Sequence, residues 1–227
     1  MKTIDFRLSE ESQILLKSLI GKELEIVAFG GLPNAATTAY GMVSLVSDGC
    51  RYYFSNFLES HEYINRTEDI SILKFGEIAD TEFEDFLEGR KPITHIINQR
   101  IKTIRIVNDN QKLYSNGNPE FNIFSVCGVV IELEDGREVS FEKSIWFSEF
   151  ITIKTGYDLI NSFAPLDEFY EEWIDSKYTA KAKREVVLLE LGRSGAAYFR
   201  DKISCGNTQY VAAALCGVAL NFLATQS

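Results

Sequence analysis

The chain has 227 residues, 45% hydrophobic and 12% aromatic, with only four prolines, which is ordinary globular composition and enough to bury a full core. A net charge of −10 argues against nucleic acid as a partner, because phosphates would be repelled. The opening MKTIDFRLSEESQ lacks the apolar run of a secretory leader, and the longest apolar run, Val211 to Leu220, is too short for a bilayer; a soluble, cytoplasmic protein with no membrane partner is expected.

Ser9 to Ile20 reads as a helix, capped by Ser9, with Leu15, Leu16 and Leu19 on one face and Gly21 as its stop. Glu23 to Ala28 alternates as a strand, and Phe29 to Pro33 reads as a loop. Tyr40–Val46 and Arg51–Phe57 form a hairpin across Asp48-Gly49, a pair that tolerates the positive φ of tight turns. Ile70–Phe75 is a further strand, and Thr81 to Glu88 a short acidic helix ended by Gly89.

From about Pro92 to Lys102 the spacing predicts a second helix, followed by a strand at Thr103–Val107. Asn108 to Asn122, rich in Asn with Gly117 and Pro119, reads as an exposed loop. A second hairpin joins Phe124–Leu133 to Glu138–Ile145 across Glu134-Asp135-Gly136. Phe150–Lys154 is a strand, and Pro165 opens a helix ending near Ile174. Tyr178 to Leu191 reads as a helix, although Val186 to Leu189 alone suit a strand, and Gln209 to Ala224 as a helix apolar all round. That last helix belongs in the core or in a homodimer interface.

Residues Gly41–Ile64 and Gly128–Ile151 align without a gap, and seven of the 24 positions are identical: Gly41/Gly128, Val43/Val130, Asp48/Asp135, Gly49/Gly136, Phe54/Phe141, Glu62/Glu149 and Ile64/Ile151. Flanking apolar and acidic stretches follow the same order. The expected fold is therefore α+β: two related helix–strand–hairpin–helix units with antiparallel sheets in a pseudo-two-fold arrangement, plus C-terminal helices. The units span residues 1–89 and 90–176, with a C-terminal segment at 177–227, all of which could form one compact domain. Their net charges are −9 (7 basic, 16 acidic), −5 (9 and 14) and +4 (7 and 3). The basic residues Lys177, Lys181, Lys183 and Arg184 are expected to dock on the acidic units or face solvent rather than to bind nucleic acid.

Motifs that carry chemistry are absent: no P-loop, GxSxG, HExxH or GxGxxG occurs. Cys50, Cys127, Cys205 and Cys216 lack zinc spacing; Cys127 and Cys216 sit in apolar stretches and read as buried free thiols, and a disulfide framework is not expected. His61 and His95 fall at unrelated repeat positions and read as structural. The carboxylates of Thr81–Glu88 and Asp167–Trp173 read as solvated faces of amphipathic helices, and Gly192-Arg193-Ser194-Gly195 is a weak anion-binding signal. No catalytic residue, cofactor or metal is assigned. Tyr52-Tyr53-Phe54 and Trp146-Phe147 must present aromatic rings on both faces of their strands. The leading expectation is a non-enzymatic interaction module whose acidic, aromatic surface binds a basic protein. The alternative is a small-molecule binder or hydrolase with its site between the repeats, lined by Phe29–Thr38 and Asn108–Asn122; a third is an oligomer-forming role for Gln209–Ala224.

Overall fold

Val, Ile, Thr and aromatic residues fill the long apolar stretches, and such residues suit a pleated, half-buried surface. The computed structural model describes residues 1–32, 35–144, 146–166, 173 and 176–190. Through them run strands β1 (Lys2–Phe6), β2 (Glu23–Leu32), β3 (Ala35–Ser47), β4 (Cys50–Tyr63), β5 (Arg66–Glu77), β6 (Ile93–Ser115), β7 (Asn118–Leu133), β8 (Glu138–Lys143), β9 (Phe150–Gly156) and β10 (Tyr178–Leu189). Two α-helices accompany them, α1 (Glu10–Lys17) and α2 (Asp80–Leu87).

Pairing runs β7–β8–β9–β3–β2–β6 and returns to β7, so six antiparallel strands close on themselves. Closure removes free strand edges. It depends on β6 using both edges. The Arg100 carbonyl accepts from Glu134 N–H, while the next residue, Ile101, exchanges both its bonds with Gly21 and Lys22. Successive backbone groups point to opposite edges, so β2 and β7 flank β6 on opposite sides. Beyond the ring, β3 carries β4 and β5, the far half of β6 carries β10, and β7 carries the parallel β1.

The main core gathers Phe29, Val43, Phe54, Ile104, Ile131, Phe141 and Ile153, all buried, with Leu16 and Leu19 of α1 and its exit. The Ser12 hydroxyl of α1 donates to the Phe75 carbonyl and accepts from the Phe75 N–H, which blunts the outer edge of β5. A second core packs Tyr63 and Ile70, at the tip of the β4–β5 hairpin, on Phe6, Phe121, Ile123 and Trp146. α2 lays Phe83 and Leu87 on Ala28.

The expected α+β architecture is thereby corrected: strands make up 66% and helix 11% of the described residues, with two α-helices and one large mixed sheet of ten strands. The helix expected at 92–102 is the first half of β6. Its buried residues Ile97, Ile101 and Ile104 do stand at helical spacing, because irregularities against β2 and β7 shift the strand's phase twice. Asn98, at φ 48°, takes the left-handed conformation at the first of these. The helix expected from Tyr178 is β10, paired residue for residue with β6. The loop expected at Asn108–Asn122 is the end of β6 and the start of β7, turning only at Asn116-Gly117. The loop expected after Ala28 begins instead as the end of β2. Lys2–Phe6, which no sequence pattern marks, forms β1. The helices expected near 165–174 and at 209–224 lie largely or wholly outside the described residues.

Both Asp-Gly hairpins form, but their registers differ. In the first, Ser47 faces Cys50 across a two-residue loop; in the second, the Leu133 N–H bonds the Arg137 carbonyl around a three-residue loop. Val43 therefore opposes Phe54, whereas Val130 opposes Ser140 and Phe141 opposes Val129. One residue of slip exchanges the faces of a strand. Val43 thus lies in the main core, and its aligned counterpart Val130 packs on the other face with Val107 and Phe163. The aligned glycines also serve different ends. Gly41 has φ +71° with the Phe57 ring against it, while Gly128 admits the Phe141 carbonyl 2.2 Å from where a Cβ would stand.

Candidate functional site

Antiparallel strands place directly opposed residues on one face. Tyr40 of β3 faces Phe150 of β9, and their rings meet edge-on with centroids 6.1 Å apart. Between them and β4 stands Glu149. Its carboxylate accepts from the Tyr40 hydroxyl and, at 3.0 Å, from the Leu58 N–H, while its carbonyl accepts from Gly41 N–H at 2.9 Å. The bond to Glu149 holds the Tyr40 phenol above its usual pKa. Phe57 extends the patch across Gly41 to Phe86 of α2, at 6.1 Å and edge-on.

Tyr40 and Phe150 are 42% and 39% exposed, so two aromatic rings lie beside a carboxylate at the surface. Phe147, close by in sequence, is 51% exposed. Contiguous apolar surface rimmed by polar groups marks interaction sites on soluble folds. The acidic helix α2 borders it.

A second cluster is buried. Arg184 of β10 donates through Nε and Nη2 to both oxygens of Asp109 on β6, each at 2.8 Å, and through Nη2 to the Ala164 carbonyl at 3.0 Å. The Cys127 thiol donates to the same carboxylate at 2.6 Å. Burial first, then Asp109, pushes that thiol well above its ordinary pKa, so it is protonated and inert as a nucleophile. Nearby, Lys143 donates to the Ser71 carbonyl at 2.6 Å and hydroxyl at 2.9 Å, and burial pushes its pKa down to about 8. The cavity among these groups is about 30 Å³, room for about one water. The arrangement staples β10 to β6; it does not admit a substrate.

The residues singled out from the sequence are scattered. His61 lies against Phe6 with Nε2 3.7 Å from Glu59, and His95 lies against Phe29. On α2, Asp80 pairs with Arg51 and Glu82 accepts from the Ala79 N–H. No group of three or more candidate metal ligands occurs among the described residues. Cys127 is a free thiol, as expected. Lys177 and Lys181 stack on Tyr178 and Tyr114, and Arg184 docks on an acidic residue of the body. Tyr52 and Phe54 are buried, and Tyr53 covers Gly76 across the strand pair. Trp146 is buried and Phe147 exposed. The loop residues expected to line an inter-repeat site are strand residues on β6 and β7 from Asn108 onward. Cys205, Cys216, Gly192–Gly195 and most of Asp167–Trp173 lie outside the described residues.

No sequence pattern groups Tyr40, Glu149 and Phe150. One signal was present: Glu149 is among the seven residues repeated between the hairpins, and it is polar where the others mostly serve turns and core. No helix among the described residues is long and apolar enough to cross a membrane. No family model, curated protein or solved structure matches this chain.

Proposed function

We propose that this protein is a non-enzymatic interaction module whose acidic, aromatic patch takes a basic segment of a partner protein. The observation that carries this reading is the pairing of the exposed Tyr40 and Phe150 rings beside the Glu149 carboxylate. Aromatic faces and carboxylates both attract Lys and Arg side chains, and the chain's charge of −10 steers cationic partners toward it. The buried thiol and amine support the non-enzymatic half of the reading, because neither is presented to a cavity of substrate size.

The test is titration of a fluorescent Arg- and Lys-rich peptide with the purified protein at several ionic strengths. Affinity should fall as salt rises. Tyr40→Ala combined with Phe150→Ala should abolish binding with unfolding unchanged, and Glu149→Gln should weaken it. Binding that ignores salt, or survives the aromatic double substitution, would refute the proposal.

A further inference from the structure

Three turns of this chain place a glycine directly after an Asp or Asn: Asp48-Gly49, Asn116-Gly117 and Asp135-Gly136. In each, the glycine nitrogen and the preceding side-chain carbonyl carbon could close a five-membered ring. Closure needs a free glycine N–H and a side chain free to rotate. Both Asp-Gly turns withhold them. Asp48 accepts from the Glu23 N–H at 3.1 Å, and the Gly49 N–H donates to Glu25 at 2.8 Å. Asp135 accepts from the Arg137 N–H at 3.0 Å and from Arg137 Nε at 2.7 Å, and the Gly136 N–H donates to the Leu133 carbonyl at 3.0 Å.

Asn116-Gly117 differs from both. The two residues are exposed, at φ 51° and 79°, the positive pair that a two-residue loop between Ser115 and Asn118 requires. Among the described residues, no hydrogen bond holds the Asn116 side chain or the Gly117 N–H. The side chain is also an amide, which can expel ammonia, whereas an ionised carboxylate resists attack.

The tip is lightly held. β1 pairs with β7 only from Phe121 inward, so among the described residues 118–120 have β6 as their one strand neighbour. An irregularity between Leu113 and Tyr114 separates the last two pairs, Tyr114 with Pro119 and Ser115 with Asn118, from the rest of the ladder. Such ends open at low free energy. Opening lets the Asn116 Cα–C bond rotate and bring the Gly117 nitrogen to Cγ.

We propose that Asn116 is a site of spontaneous deamidation in the folded protein. The Gly117 nitrogen gives its proton to solvent base and bonds to Asn116 Cγ. The bond from Cγ to the amide nitrogen then breaks, and that nitrogen takes up a proton and leaves as ammonia. Water opens the cyclic imide at either carbonyl, giving aspartate or isoaspartate, so one amide and one water become one carboxylate and one ammonia. Isoaspartate carries the main chain through an extra methylene and lengthens a loop whose length sets the register of β6 on β7. The edge-on contact of Phe121 with Tyr178, 5.9 Å between centroids, lies nearest in the second core and loosens with it. The site is separate from the aromatic patch and does not depend on it.

Peptide mass mapping of the folded protein, incubated at neutral and at mildly alkaline pH, tests the assignment. Urea-unfolded protein is the reference for the chemistry itself. The peptide spanning Asn116 should gain one mass unit, faster at the higher pH, with isoaspartate as the major product. Asp48→Asn and Asp135→Asn put the same amide ahead of Gly49 and Gly136, and each should convert severalfold more slowly than Asn116 in the same sample. Asn116→Asp should keep the wild-type amide shifts around Phe121 and Tyr178, because aspartate tolerates left-handed backbone, and the isolated isoaspartate form should not. No conversion in the folded protein while the unfolded chain converts fully, or equal conversion at all three turns, would overturn the proposal.

Discussion

The rings of Phe54 and Phe141 stand 4.7 Å apart, tilted by 32°, in the middle of the main core. They occupy aligned positions in the two Asp-Gly hairpins, so the two hairpins meet through a residue type they have in common. Each is fully buried.

Truncation of either ring to Ala should cost about 3–5 kcal/mol in urea unfolding. Since the rings touch, the double variant should depart from additivity by roughly 0.5–1.5 kcal/mol. Strictly additive losses would show that the contact carries no energy of its own.

The Asp109–Arg184 pair should behave as a buried ion pair, with side chains 2% and 19% exposed. Asp109→Leu or Arg184→Met alone leaves one charge stranded and should cost about 3–5 kcal/mol. Replacing both should recover most of that loss. A double variant no more stable than the worse single one would argue that the two act separately.

The third expectation concerns pH. Lys143 has a pKa near 8 when folded, against about 10.4 in an unfolded chain, so between those values the unfolded state holds the extra proton and stability rises with pH. Cys127 acts the other way. Its folded pKa is raised, so above about 8.5 the unfolded thiol loses its proton first and stability falls. Each slope is at most about 1.4 kcal/mol per pH unit. Denaturant titrations from about pH 8.5 to 10 should therefore show a shallow wild-type profile, a falling one for Lys143→Met and a rising one for Cys127→Ser. Parallel profiles in all three would contradict these assignments. Tyr52, pushed up to about 12 by burial, adds a further fall only at higher pH.

Much of the local structure was legible. α1 with its Ser9 cap, α2, and both Asp-Gly hairpins follow from turn residues, caps and alternation that act within a few positions. The candidate patch was legible only in fragments. Glu149 matches Glu62 in the aligned segments, but Tyr40 lies 109 residues away from it, and only the pairing of β3 with β9 brings them together.

Two stretches of β6 were hidden from any local reading. At Ile97, Ile101 and Ile104 a helical spacing arises because strand irregularities shift a period of two, and no local pattern separates that from a true helix. At Asn108 to Gln111 a polar run reads as a loop, because the group that lets Asp109 be buried is Arg184, 75 residues on.

By itself the sequence determined the acidic balance, the turn positions and which short segments alternate, since these depend on neighbours along the chain. Ring closure, the burial of the polar run of β6 and the opposite destinations of Val43 and Val130 were decided only in the tertiary structure. Burial is a relation between a residue and whatever packs on it, and here those partners come from distant strands whose register is set by a single residue of turn length.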